Sequence, residues 1–486
     1  MIKDDNGLYE AFIAKDARFD GRFFVGISST GIYCRPVCRA RKPKLENCTF
    51  YHTAAEAEQA GFRPCLLCRP ELAPGSSITD ATATLARRAA KMLEENCGSG
   101  QSLRELAIQL GCTDRHLRRA FAVEYNVSPV QYLQTCRLLL AKNLLTDTNM
   151  SVINVAMAAG FGSLRRFNDL FKKHYQLSPT DLRRKMPEGK VQSSEITVTL
   201  GYRPPYRFEA MLRFLAARAI PGIEVISDEQ YMRTVHLRDA AGNHVYGWIQ
   251  ITHKPQRNSL NVTIPETLLP ILPQVLGKVR RMFDLNCDPE SVYERLASMN
   301  DIRPGLSVLG VRLPGSFDVF EMSVRAVLGQ QITVKAARTI AARMAETFGM
   351  PVQTNIEGLT HVFPSPEDIL TLEGPIENHL GPLGVIATRA RTIHALASAI
   401  AQEEIDFNLP SQPEKEMKKL LAIPGIGHWT AQYIAMRTME WPDAFLETDA
   451  GVKKALAPLT PKELLEIAEN WRPWRSYATI NLWNTL

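Results

Sequence analysis

At 486 residues the chain exceeds what one hydrophobic core supports, so three or four domains are expected. Charged residues at 22% and hydrophobic ones at 45% are ordinary for a folded protein, and no apolar run is long enough to span a bilayer, which excludes a disordered chain and a helical membrane protein. The net charge of +6 is unevenly spread: residues 1–190 hold 28 Lys+Arg against 19 Asp+Glu, and residues 191–486 hold 29 against 32, so the front half is the stronger polyanion binder. The start, Met1-Ile2-Lys3-Asp4-Asp5, lacks the basic-then-apolar plan of a secretory signal, and a cytoplasmic location is expected.

In chain order, the first segment is rich in cysteine and aromatic residues and ends at Ala73-Pro74-Gly75-Ser76-Ser77. Four of the nine cysteines form two close pairs, Cys34-x3-Cys38 and Cys65-x2-Cys68, separated by 26 residues. In a reducing compartment such pairs favour a metal over disulfides, and four thiolates around one ion suit tetrahedral Zn²⁺. Spacing alone also fits a closed site that only staples a small domain. The surrounding Arg35, Arg39, Arg41, Lys42, Lys44, Arg63 and Arg69 instead suit a phosphate-facing site. Cys48, Cys97, Cys112, Cys136 and Cys287 are scattered and read as small, partly buried thiols.

Helical periodicity follows from residue 78, with an internal repeat at an offset of 49 to 50 residues. Ser102, Ala107 and Gly111 recur as Ser151, Ala156 and Gly160; Phe121, Tyr125 and Ser128-Pro129 recur as Phe171, Tyr175 and Ser178-Pro179. Each Ser-Pro predicts an N-cap and first-turn proline. Each glycine separates two short helices, the second polar: Thr113 to Arg119, with Arg115, Arg118 and Arg119, and Ser163 to Asp169, with Arg165 and Arg166. A tandem pair of helix-turn-helix units is expected, with Arg and Asn side chains able to reach base edges.

Pro187 to Ser194 is polar and predicts a linker. Period-two runs then appear at Ile196/Val198/Leu200, Val235/Leu237 and Leu260/Val262/Ile264, with helical spacing over Phe208–Leu215, so residues 195–275 predict a small α+β domain. From about 276 the pattern is helical. Within it, Ile423-Pro424-Gly425-Ile426-Gly427 lies between two helical stretches, and Gly425 and Gly427 permit a hairpin whose N–H groups approach a phosphate. Asp449 lies 22 residues beyond Gly427.

Three resemblances give these features roles. Gly21–Val25, Ser29–Arg41 and Ala60–Pro70 resemble the amino-terminal domain of the Ada family. This implies that Cys34, Cys38, Cys65 and Cys68 bind one zinc and that Cys34 takes a methyl group from a DNA methylphosphotriester. Arg35, Arg39, Arg41 and Arg63 are then expected DNA contacts. The family's second half, with its Pro-Cys-His-Arg site, is absent from this sequence. Residues 79–185 resemble the AraC-type DNA-binding domain, most clearly at Ala156–Ser163 and Phe167–Pro179.

The stretch from about 195 to 486 resembles helix-hairpin-helix glycosylases of the 3-methyladenine DNA glycosylase II type, through Tyr202–Tyr206, Phe214–Ala219, Phe283–Cys287, Arg303–Gly305, Leu328–Gln330 and Trp471–Ala478. By that resemblance Asp449 is the catalytic carboxylate, Phe214, Trp429, Tyr433 and Trp483 form the base pocket, and Gln331 takes the wedge position held by leucine in some members. Trp429 stands where bifunctional relatives carry a Schiff-base lysine, which implies a monofunctional enzyme.

The expected protein is multidomain, mostly α with α+β parts: a zinc α+β domain at 1–77, a tandem helix-turn-helix domain at 78–187, a linker and antiparallel α+β domain at 188–275, and an all-α helix-hairpin-helix domain at 276–486. Its expected partner is double-stranded DNA, alkylated or promoter, with RNA polymerase a further candidate, no membrane, and a monomeric chain. Two narrower readings stand beside repair plus methylation-triggered activation. One is a regulator whose glycosylase half only grips DNA, and the other is a glycosylase whose front half only tethers it.

Overall fold

The computed structural model describes residues 5–16, 19–51, 54–70, 73, 78–98, 102–184, 195–227, 229–239, 241–407 and 413–486. The expected boundary at 77 and the expected linker up to Ser194 lie outside the described residues.

The first domain contains α1 (Asp5–Ala14), β1 (Phe24–Ile27), β2 (Ile32–Cys34), β3 (Cys48–Tyr51), α2 (Ala54–Gln59) and β4 (Arg63–Pro64). Its sheet runs β3-β1-β2-β4. β1 is antiparallel to β2 and β3, whereas β2 and β4 pair in parallel. That parallel pairing joins the two cysteine pairs. Cys34 ends β2, Cys65 directly follows β4, and the Cys65 N–H donates to Tyr33 O at 3.0 Å.

The second domain comprises α3 (Ile78–Glu95), α4 (Leu103–Gln109), α5 (Asp114–Tyr125), α6 (Pro129–Asp147), α7 (Val152–Ala158), α8 (Leu164–Tyr175) and α9 (Pro179–Arg184). The capping expected of each Ser-Pro is present, and Ser102 adds a cap of its own. Ser102 and Ser128 form capping boxes, Pro129 opens α6, and Ser178 accepts from the Asp181 N–H ahead of α9 at 3.1 Å. Gly111 and Gly160 occupy the left-handed region, φ +66° and +80°, at the turns from α4 to α5 and from α7 to α8. Phe121 and Phe171 bury the inward faces of α5 and α8 at equivalent positions, leaving their arginines outside.

A five-stranded antiparallel sheet follows, ordered β5-β9-β8-β7-β6, from β5 (Glu195–Gly201), β6 (Glu224–Ile226), β7 (Gln230–Arg238), β8 (His244–Lys254) and β9 (Ser259–Pro265), with α10 (Phe208–Ala216) after β5. β5 and β9 show the alternation expected of them, with Ile196, Val198 and Leu200 facing Ile264, Val262 and Leu260 inside.

The helical remainder runs α11 (Leu272–Met282), α12 (Pro289–Leu296), α13 (Met299–Ile302), α14 (Val319–Leu328), α15 (Val334–Phe348), α16 (Pro366–Leu370), α17 (Ile376–Leu380), α18 (Ala387–Ala401), α19 (Pro413–Ala422), α20 (His428–Thr438), α21 (Ala450–Ala455), α22 (Pro461–Glu469) and α23 (Arg475–Trp483). The division expected at 275–276 falls inside α11, whose Val275 and Val279 are both buried, so the structure does not divide there. A buried ion network further fuses sheet and helices: Arg233 on β7 pairs with Glu321 on α14 at 2.5 Å, and Arg325 on α14 reaches Glu224 on β6 at 3.1 Å. Removing one member would strand a buried charge. Among the described residues no helix is long and apolar enough to cross a membrane.

Candidate functional site

The ligand sulfurs of Cys34, Cys38, Cys65 and Cys68 lie within 4.8 Å of one another. Three of the four residues are buried. Hydrogen bonding to Cys38 holds the Cys34 thiol above its ordinary range, while hydrogen bonding to Cys34 pulls Cys38 down. Four sulfurs at this spacing cannot all ionise without a cation between them, and a compact all-thiolate set is the donor chemistry of a tetrahedral zinc site. The cluster is therefore a four-cysteine zinc site.

Arg39, Arg41, Arg63 and Arg69 are exposed around this cluster. Arg35 is not among them. It is buried, its Nε donates to Asp20 Oδ1 at 2.8 Å, and its Nη1 donates to Cys68 O at 3.3 Å. The DNA contact expected of Arg35 is corrected accordingly: its guanidinium neutralises a buried carboxylate and points into the protein. In the second domain, Arg115, Arg118 and Arg119 on α5 and Arg165 and Arg166 on α8 are all exposed.

In the last domain the hairpin joins α19 to α20. Gly425 at φ +90° makes the turn, and a Cβ there would strike Thr392 Oγ1. Thr392 in turn donates to Pro424 O at 2.8 Å, and Gln330 Nε2 bridges Gly425 O at 2.9 Å and Thr430 Oγ1 at 3.0 Å. The N-cap of α20 is Gly427, which supplies no side-chain cap, so the helix's first N–H groups remain open to an anion.

Facing the hairpin is a cleft of about 1100 Å³, with Trp429, Tyr433, Asp449, Trp483 and Gln331 among its lining residues. Asp449 caps α21, and Oδ1 accepts from the Val452 N–H at 3.0 Å. The same Oδ1 accepts from Trp483 Nε1 at 2.9 Å, and Oδ2 from Trp429 Nε1 at 3.1 Å. The two indoles are therefore more than the aromatic walls the sequence predicts, because they also aim the carboxylate. Trp429 stacks on Tyr433 with centroids 5.2 Å apart at 8°, and Phe214 stacks on Trp483 at 6.1 Å and 19°. Trp429, Tyr433 and Trp483 thus line the cleft beside Asp449, and Phe214, which is not among the lining residues, stacks on Trp483.

Two cations escaped the sequence reading. Arg218 lies 3.8 Å over the Phe214 ring, and buried Arg437 donates to the Tyr433 hydroxyl at 2.8 Å. Burial raises the Tyr433 phenol, but Arg437, Arg218 and Arg325 together outweigh it and bring the group below its ordinary value. Helical spacing offers one signal for Arg437, four residues after Tyr433. Gln331, at the turn between α14 and α15, is exposed at φ +55° on the cleft rim.

Four family profiles match the chain: "Metal binding domain of Ada" at residues 7–71, "Helix-turn-helix domain" at 106–185, "AlkA N-terminal domain" at 197–318, and "HhH-GPD superfamily base excision DNA repair protein" at 324–467. Among curated proteins, the probable bifunctional transcriptional activator/DNA repair enzyme AlkA of Mycobacterium tuberculosis is 36% identical over 495 aligned residues, covering 100% of this chain and 97% of that one. DNA-3-methyladenine glycosylase 2 of Escherichia coli is 35% identical over 289 residues, covering 59% of this chain and 96% of its own. The bifunctional transcriptional activator/DNA repair enzyme AdaA of Bacillus subtilis is 32% identical over 185 residues, covering 38% of this chain and 83% of its own.

Proposed function

Because this chain belongs to the family of bifunctional transcriptional activator/DNA repair enzymes of the AlkA type, we propose that it answers DNA alkylation with two chemistries: base excision at Asp449 and methyl capture at Cys34. It is a DNA glycosylase and a DNA-binding regulator. The observation that carries the excision reading is the carboxylate of Asp449, held by two indole N–H groups at the mouth of an aromatic cleft.

An alkylated purine such as 3-methyladenine is cationic in DNA, so the aromatic side chains of Trp429, Tyr433 and Trp483 that line the cleft suit it. Extruding it from the stack costs a few kcal/mol, less for a damaged base. Gln331, on the cleft rim, is the residue we assign to the vacated space. The N-glycosidic bond then breaks with its electron pair leaving on the base. Asp449 stabilises the positive charge growing on the sugar, and water adds to the anomeric carbon and releases its proton. With an indole at Trp429 in place of an amine, no Schiff base forms. The product should be an intact abasic strand, and borohydride should trap no covalent adduct; a trapped adduct would refute the monofunctional assignment.

At the other site, Cys34, Cys38, Cys65 and Cys68 would hold the zinc, which would keep their sulfurs as thiolates. The Cys34 sulfur attacks the methyl carbon of a phosphotriester; the S–C bond forms, the C–O bond breaks, and an ordinary phosphodiester departs. Exposed Arg39, Arg41 and Arg63 are the phosphate contacts we assign there, with Arg115, Arg118, Arg119, Arg165 and Arg166 reading promoter DNA. Methylation removes one negative charge from the cluster and so reduces its repulsion of DNA. We further assign RNA polymerase as the partner of the activated form, a monomeric state and a cytoplasmic location.

A further inference from the structure

Asp20 is buried where three domains touch. Both its oxygens accept from the Arg35 guanidinium, and Oδ2 accepts again from Arg87 Nη2 at 3.2 Å. Arg35 follows Cys34 in the chain and reaches the zinc cluster through its backbone N–H, which donates to Cys68 Sγ at 3.3 Å. Arg87 belongs to α3 of the helix-turn-helix domain, and its Nε donates to Glu124, in the last turn of α5, at 3.0 Å. The glycosylase domain fixes the same segment from outside. Phe19 packs 5.9 Å from Trp441 and 6.0 Å from Trp474, and Arg22 lies 4.1 Å over Trp441 while pairing with Glu414.

Arg35 alone, bidentate, would satisfy the Asp20 carboxylate. The second guanidinium is supplied by another domain, and it is also held by the helix that carries Arg115, Arg118 and Arg119. The zinc cluster and α5 are therefore joined through four alternating charges, two cations and two anions, with Asp20 shared between them. Such a shared carboxylate responds to either side, because a change in one pairing alters the other.

We propose that Asp20 and Arg87 form a charge relay that carries the methylation state of Cys34 to the first helix-turn-helix unit. The inference rests on Cys34 being the methyl acceptor. Methyl transfer removes one negative charge beside Arg35, which then settles more fully on Asp20. Asp20 in turn loosens its hold on Arg87, which already pairs with Glu124 through both Nε and Nη2 and now settles wholly on that carboxylate, shifting the seating of α5 against α3. Direct relief of repulsion against DNA needs neither Asp20 nor Arg87, so the two effects separate.

The test uses the full-length, zinc-loaded chain and a labelled duplex selected by the methylated protein from a random-sequence pool. Affinity is measured before and after incubation with DNA bearing methylphosphotriesters, and zinc content and intact mass are read on the same samples. Site-to-site coupling is usually worth roughly 5- to 150-fold, and a gain in that range is expected for the wild type. Arg87→Gln carries the test because it leaves the Arg35–Asp20 pair in place, whereas Asp20→Asn leaves Arg35 buried without a counter-charge. Arg87→Gln should keep its zinc, its methyl uptake and its affinity before methylation, yet lose most of the gain, and Arg87→Lys should restore part of it. A wild-type gain in Arg87→Gln would overturn the relay, as would a methylated wild type with no gain. If the wild type gains no methyl mass, the acceptor reading fails first and takes the relay with it.

Discussion

The Asp449 carboxylate accepts three N–H donors, from Val452, Trp429 and Trp483, and this fixes what substitution there does. Asparagine caps a helix as well as aspartate, so Asp449→Asn should fold. It keeps an oxygen for Trp483 and Val452 but turns an NH2 toward Trp429, and it removes the charge. Release of 3-methyladenine should fall by roughly two to four powers of ten, about 3 to 5 kcal/mol, while DNA binding and melting temperature change little. Retention of the wild-type rate would exclude Asp449 as the catalytic group. Trp483→Phe keeps an aromatic wall and removes one donor to a charged acceptor. A loss of about 1.5 to 3 kcal/mol, on the order of 10- to 100-fold in excision rate, is expected; an unchanged rate would leave the indole N–H without a role. Asp449 was legible from its spacing to the hairpin, and the aromatic residues only through the resemblance to the glycosylase family. The direction of the indole N–H groups was not, since spacing carries no orientation. Arg35 misled for the same reason: an arginine beside a zinc cysteine reads alike whether it faces phosphate or Asp20.

At the scale of elements, local chemistry was most legible where it is self-contained. Ser128-Pro129 and Ser178-Pro179 cap helices through contacts within four residues, and Gly111 and Gly160 make turns only where φ is positive. β8, His244–Lys254, passed unread because its buried run Gly247-Trp248-Ile249 breaks the alternation that marked β5 and β9. The short parallel β2–β4 pair was equally hidden, since two residues leave no periodic signal; yet it brings Cys34 and Cys65 together. A sheet this small buries little surface of its own, so metal binding is expected to contribute to its folding. Cys38→Ser should lose the single zinc and open residues 5–70 to limited proteolysis, while the helical half stays protected. Full zinc content in that variant would contradict the four-cysteine site.

Over the whole molecule, the domain order was readable from shifts in pattern, but the contacts between domains were not. α11 runs through the division expected at 275–276, and Phe19, Asp20 and Arg22 tie the zinc domain to both other parts through contacts of long sequence separation, for which a single sequence holds no periodic trace. Promoter binding before and after Cys34 methylation separates regulation from a front half that serves only as a tether, and the two chemistries are testable on one intact chain. The most direct measurement incubates the zinc-loaded protein with methylated duplex DNA, records the intact protein mass with the site of modification, and identifies free bases in the same tube. One added methyl, roughly 14 Da, is expected on Cys34 as the stoichiometric acceptor, together with catalytic release of 3-methyladenine. Free base without any methyl on Cys34, or a methylated Cys34 with no base released, would contradict the union of two chemistries in this chain.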